Sequence, residues 1–84
     1  MTEIRGTVTG PDGAGIADAS VYFLEGPVPL PDIAQLTDGA GGFELTAPAP
    51  GTYRIGARAP GFEPAETTVE VHGEPEVVVQ IRLA

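Results

Sequence analysis

The sequence contains no cysteine. That excludes disulfides, thiolate metal sites and a cysteine nucleophile, and it leaves the redox compartment open. Lysine and asparagine are also absent, so four arginines stand against twelve acids and the formal charge is −8. A chain without a basic patch is expected to bind neither nucleic acid nor an anionic membrane surface, because both need Lys or Arg to neutralise phosphate. The acidic balance reads instead as the charge that keeps a small β protein soluble and monomeric. There is no tryptophan, one serine (Ser20) and one histidine (His72). No run approaches the ~20 apolar residues of a membrane helix. The opening MTEIRGTV lacks the apolar h-region of a signal peptide. With Met1 as the native start the expected location is the cytoplasm; an excised domain would be expected outside the cell.

What the sequence has in quantity is apolar residues in alternation, broken by turns. Its 84 residues suit a single domain spanning 1–84, and 42% hydrophobic content is too high for disorder. A chain this short buries about 60–65% of its unfolded surface, so its core is thin. Twelve glycines and nine prolines are spread at turn-like spacings. Ile4, Gly6 and Val8 alternate with polar neighbours, as a half-buried strand requires. The segment Gly10 to Gly15 carries turn chemistry: Pro11 presets φ and Asp12-Gly13 supplies a left-handed position. Val21 with Phe23, Phe43 with Leu45, Tyr53 with Ile55 and Ala57, Thr67 with Val69 and Val71, and the odd positions from Val77 to Leu83 continue the pattern. A short strand is expected near 34–37. Seven strands and no helical periodicity predict an all-β sandwich. Its facing residues would be Val8, Val21, Phe23, Phe43, Leu45, Tyr53, Ile55, Phe62, Val69, Val79 and Ile81.

The order GTV, DG, TDGAGGF, PGTY and GF over nearly the whole chain resembles the carboxypeptidase regulatory-like domain. The residues that carry the resemblance are Gly6 to Val8, Asp12-Gly13, Ala19 and Val21, Thr37-Asp38 closing on Gly42-Phe43, Pro50 to Tyr53, and Gly61-Phe62. The resemblance implies a transthyretin-like, seven-stranded Greek-key β-sandwich that serves as a non-enzymatic accessory module, for protein–protein interaction or structural support. It implies no common active site. Two related activities are excluded by composition. The Lys–Asn isopeptide bond of collagen-adhesin B-type domains needs two residue types this chain lacks. The transthyretin-like hydroxyisourate hydrolases need more than one histidine and a terminal Tyr-Arg-Gly-Ser, whereas this chain ends Arg82-Leu83-Ala84.

No cofactor, metal site or catalytic group is expected. The loop Asp38 to Glu44 lacks the alternating oxygen ligands of a calcium loop and the Lys of a phosphate loop, so Asp38 should bond the backbone of its own turn. Ser20 opens a strand without the context of a nucleophile elbow, and His72 sits at a turn. Glu66 and Glu70 share a strand face directed to solvent. Two segments remain as candidates for contact with an unknown protein partner. Glu25 to Gln35 holds Val28, Leu30 and Ile33 among prolines 27, 29 and 31, which forbid a central strand. These apolar side chains either present a preorganised polyproline II surface or fold down to cap the core. The last strand, Glu76 to Leu83, has no proline and one basic charge, Arg82; it is either an inner strand or an edge able to pair with a copy of itself. The alternative function is carbohydrate or small-ligand binding, for which Tyr22 and Tyr53 are the polar aromatics.

Overall fold

The alternations form strands in the computed structural model, which describes residues 1–30 and 34–84. In chain order these are β1 (Thr2–Thr9), β2 (Ser20–Glu25), β3 (Gln35–Leu36), β4 (Gly42–Ala47), β5 (Gly51–Arg58), β6 (Ala65–Val71) and β7 (Glu76–Arg82). They make two sheets, β4-β1-β7 and β3-β2-β5-β6, which face one another as a sandwich. The short strand expected at 34–37 is the two-residue β3, both of whose residues are exposed. A register shift between Phe23 and Glu25 leaves Leu24 turned to solvent at the end of β2.

The inner face is read straight from the period of two. Tyr53, Ile55 and Ala57 of β5 are fully buried, and Ile4 and Val8 of β1 are fully buried opposite them. Ala19 and Val21 at β2, Phe43, Leu45 and Ala47 of β4, Val69 and Val71 of β6, and Ile81 and Leu83 complete the core among the described residues. Phe23, Phe62 and Val79, expected inside, are only half-buried and pack against the core's margin. Ile4, Ala19, Ala47, Ala57, Val71 and Leu83 fill places that the expected core list leaves out. Fully burying each large apolar side chain contributes about 1.5–3 kcal/mol, most of it offset by chain entropy.

The buried aromatic Tyr53 has a polar end, and that end is satisfied. Its hydroxyl donates to the carbonyl of Ala49 at 2.5 Å and accepts the Ala49 N–H at 3.2 Å, so it clamps the β4–β5 turn four residues upstream. Its ring lies 5.3 Å from that of Phe23, tilted by 45°. The turns are local chemistry. Gly13 donates to Gly10 across a four-residue turn, with Gly13 at φ +84° and Asp12 accepting from Ala14 at 3.0 Å. Ala59 and Phe62 close the Pro60-Gly61 turn in the same way, at 3.2 Å.

The chain ends meet. β1 lies between β4, antiparallel, and β7, parallel, so the N-terminal and C-terminal strands are neighbours. The contact is close at Gly6, paired with Phe43 on one side and Val79 on the other. A Cβ there would stand 2.2 Å from the Val79 carbonyl oxygen and 2.8 Å from the Phe43 ring. Two substitutions separate these devices in chemical denaturation. Tyr53→Phe is expected to lose about 1–2 kcal/mol, because the Ala49 groups lose their partner without any change of volume. Gly6→Val is expected to lose about 1–3 kcal/mol through overpacking against Val79 and Phe43.

Candidate functional site

Asp38 is occupied by its own turn. Its Oδ1 accepts the N–H groups of Ala40 at 2.9 Å and Gly42 at 2.8 Å, its carbonyl accepts from Gly41, and Gly41 takes φ +84°. Beside it Thr37, buried, donates to the Ile16 carbonyl at 2.6 Å and accepts the Ala19 N–H at 2.9 Å. This buried hydroxyl fastens the 16–19 segment to the end of β3, and nothing in the local sequence pattern marks it.

Ser20 and His72 are not brought together. Ser20 pairs with Arg58 at one end of β5, while Val71, next to His72, pairs with Gly51 at the other. The seven steps between Gly51 and Arg58 span about 23 Å along the strand. Glu66 and Glu70 have neighbours of their own: Glu66 lies 3.4 Å from Arg54, and Glu70 accepts from the Thr52 hydroxyl at 2.7 Å. Among the described residues no group of three or more His, Cys, Asp or Glu side chains is placed to hold a metal ion.

The solvent face of each sheet is organised by one arginine. Arg5, on central strand β1, hydrogen-bonds Glu44 of β4 at 2.8 Å and lies 3.8 Å from Glu76 of β7. The hydrogen bond from Arg5 holds the Glu44 carboxyl below its ordinary value of 4.5, and the same bond raises the guanidinium. Arg54 of β5 bridges Glu25 of β2 and Glu66 of β6. Glu74 is also held low, first by the backbone N–H of His72. Arg5 and Glu44 line an open cleft of about 430 Å³ and Arg54 and Glu25 another of about 400 Å³, and in both the charged groups are exposed and engaged with one another.

A further cleft of about 430 Å³ lies at the β2 and β5 end, lined by Asp18, Ser20, Arg58, Pro60, Phe62 and Pro64. Asp18 takes φ +59° there. The Arg58 guanidinium carbon stands 5.8 Å from the centre of the Tyr22 ring, and Tyr22 lies over Gly56, where a Cβ would meet its ring at 2.7 Å. No carboxylate pairs with Arg58 among the described residues. The lining residues come from two separate stretches of sequence, 18–20 and 58–64, which is why only the fold brings them together.

The proline loop divides. Leu30 folds down: a Cβ on Gly26 would lie 2.6 Å from Leu30 Cδ1 and 3.0 Å from the Tyr53 ring, so Gly26 is the space through which Leu30 reaches the core. Val28 faces solvent. Ile33, the third residue of the segment, lies outside the described residues.

Among the described residues β7 is an edge strand, paired only with β1. Pro75 accepts from Glu3 and Leu83 donates to Thr9, so the odd-numbered residues turn their backbone groups toward β1. By alternation the N–H and C=O groups of Glu76, Val78, Gln80 and Arg82 point away from the sheet. No hydrogen bond among the described residues reaches them. Val78, in the middle, is 73% exposed.

A family model described as Carboxypeptidase regulatory-like domain matches residues 3–84. No curated protein matches the chain. The loop geometry has a direct check in thermal and chemical denaturation. Leu30→Ser is expected to lower stability by about 1–2 kcal/mol through lost packing on Tyr53. Val28→Ser is expected to change it by less than about 0.5 kcal/mol.

Proposed function

The chain belongs to the carboxypeptidase regulatory-like domain family, whose members are β-sandwich modules, generally non-catalytic, and from that premise we propose that it is a non-enzymatic accessory module that binds protein by strand addition at β7. The observation that carries this reading is the open edge. Four residues there present unpaired backbone donors and acceptors, with an exposed valine at the centre. Such an edge is a template on which an extended segment gains main-chain hydrogen bonds, and alternate side chains supply selectivity. Edge strands that must stay single are protected by proline, a bulge, an inward charge or central lysines. β7 has none of these between Glu76 and Arg82. The proline loop supports the same class of function through the exposed Val28, while Leu30 packs half-buried against the core.

A second reading, a small-ligand module, rests on the cleft beside Arg58 and Tyr22. A guanidinium held over an aromatic ring and in no ion pair among the described residues suits a small anionic or aromatic group. A thermal-shift screen of such compounds tests it: a ligand of this cleft raises the melting temperature of the native chain and leaves Arg58→Ala unmoved.

The edge reading is tested by Gln80→Pro. Proline there removes a donor that points outward and leaves the ladder to β1 in place, so the variant is expected to keep its fold. Partners captured from source-cell lysate by the native chain should be lost with this variant. Equal capture by both would remove the edge from the function.

A further inference from the structure

We infer that the strand received by the β7 edge is β7 of a second copy, antiparallel, with a two-fold axis passing beside Val79. This inference rests on the edge reading above and names its partner.

The argument begins with parity. A two-fold contact is self-complementary: if residue i faces j, then j faces i. Centred on Val79, the pairing sets Glu76 of one copy against Arg82 of the other, Val77 against Ile81, and Val78 against Gln80. The faces agree throughout. Val77, Val79 and Ile81 stay on the core side, while Glu76, Val78, Gln80 and Arg82 stay on the solvent side. The outward backbone groups agree as well. Glu76, Val78, Gln80 and Arg82 are the β7 residues whose N–H and C=O groups have no partner among the described residues, and in this register each of them faces another member of that set. The hydrogen-bonded pairs of an antiparallel ladder therefore fall on groups that lack partners.

Charge then chooses the register. β7 contains one acid and one base, six residues apart at its two ends. Only the Val79-centred register makes them meet, and it does so twice. A shift of two residues one way sets Glu76 against Gln80; the other way sets Arg82 against Val78. A shift of one residue turns the core face outward. Both charges are exposed. Glu76 has only the 3.8 Å approach to Arg5, and Arg82 donates to the Pro11 carbonyl, so neither is locked in a close ion pair.

The other edges do not pair with themselves in this way. β6 centred on Thr68 would set Glu66 against Glu70 twice. β4 has Glu44 but no base, and Glu44 is taken by Arg5. β3 has two residues. Two chains of charge −8 repel at long range. At about 0.15 M salt that repulsion is screened beyond roughly 8 Å, whereas cross-strand pairs in contact persist.

The test is sedimentation of the full chain at physiological salt over a range of concentrations. The native chain should dimerise. Glu76→Arg and Arg82→Glu should each weaken self-association at least tenfold, because each places two like-charged pairs across the axis. Mixed in equal amounts, the two variants should form a one-to-one heterodimer, since two arginines of one chain then face two glutamates of the other. A role of either residue in folding alone would not produce that rescue. In hydrogen exchange, the amides of Val78 and Gln80 should gain protection with chain concentration. A chain that stays monomeric over the whole range, or a dimer indifferent to both charge reversals and to their mixture, overturns the inference. Neither outcome decides the edge reading, which stands or falls with the partners lost in Gln80→Pro.

Discussion

The parallel ladder between β1 and β7 ties the two ends of the chain together, and it closes over Gly6, where the Val79 carbonyl leaves no room for a side chain. Once β7 lies on that side of β1, the small sheet runs β4-β1-β7 and the far side of β7 has no neighbour in its plane among the described residues. The open edge is thus a consequence of topology. β4 holds the other side of β1, and its Phe43 ring occupies the space that Gly6 vacates. A pairing between residues some 70 positions apart also closes a long loop before it is rewarded, which places this domain with the slower, non-local folders.

The second sheet is organised around β5. Tyr53, Ile55 and Ala57 form the floor of the core, while Thr52, Arg54 and Arg58 on its other face engage Glu70, Glu25 with Glu66, and Tyr22. One strand therefore joins packing on one face to surface pairing on the other. The Tyr53 hydroxyl adds a fixed turn at the strand's beginning, and Leu30 covers its ring from outside. The proline segment, which looks available for recognition when read alone, is partly used in closing that end of the core.

Function follows from what these contacts leave over. The polar groups that suggest chemistry by type are engaged elsewhere: Asp38 in its turn, Glu44 with Arg5, Glu66 with Arg54, and Ser20 far from His72. Among the described residues the β7 backbone and the cleft beside Arg58 remain unspoken for. The first is continuous, directional and self-complementary in charge, which is why it carries the proposed role.

The strands, the turns and the inner face were legible in the residues, because side chains on a strand alternate and Pro, Gly and Asp have conformational preferences that act over two or three positions. Val8, Val21, Tyr53 and Ile81 could be placed inside on that ground alone. Local pattern also foresaw that Asp38 would bond its own turn. It could not say whether β7 was inner or edge, whether Leu30 would turn in, or that Asp18, Ser20, Arg58 and Phe62 would share a cleft. Those depend on which strands become neighbours, and neighbours are chosen by the packing of the whole chain. Sequence determined the period of each strand and the chemistry of its faces; only the tertiary structure decided which backbone groups were left without a partner.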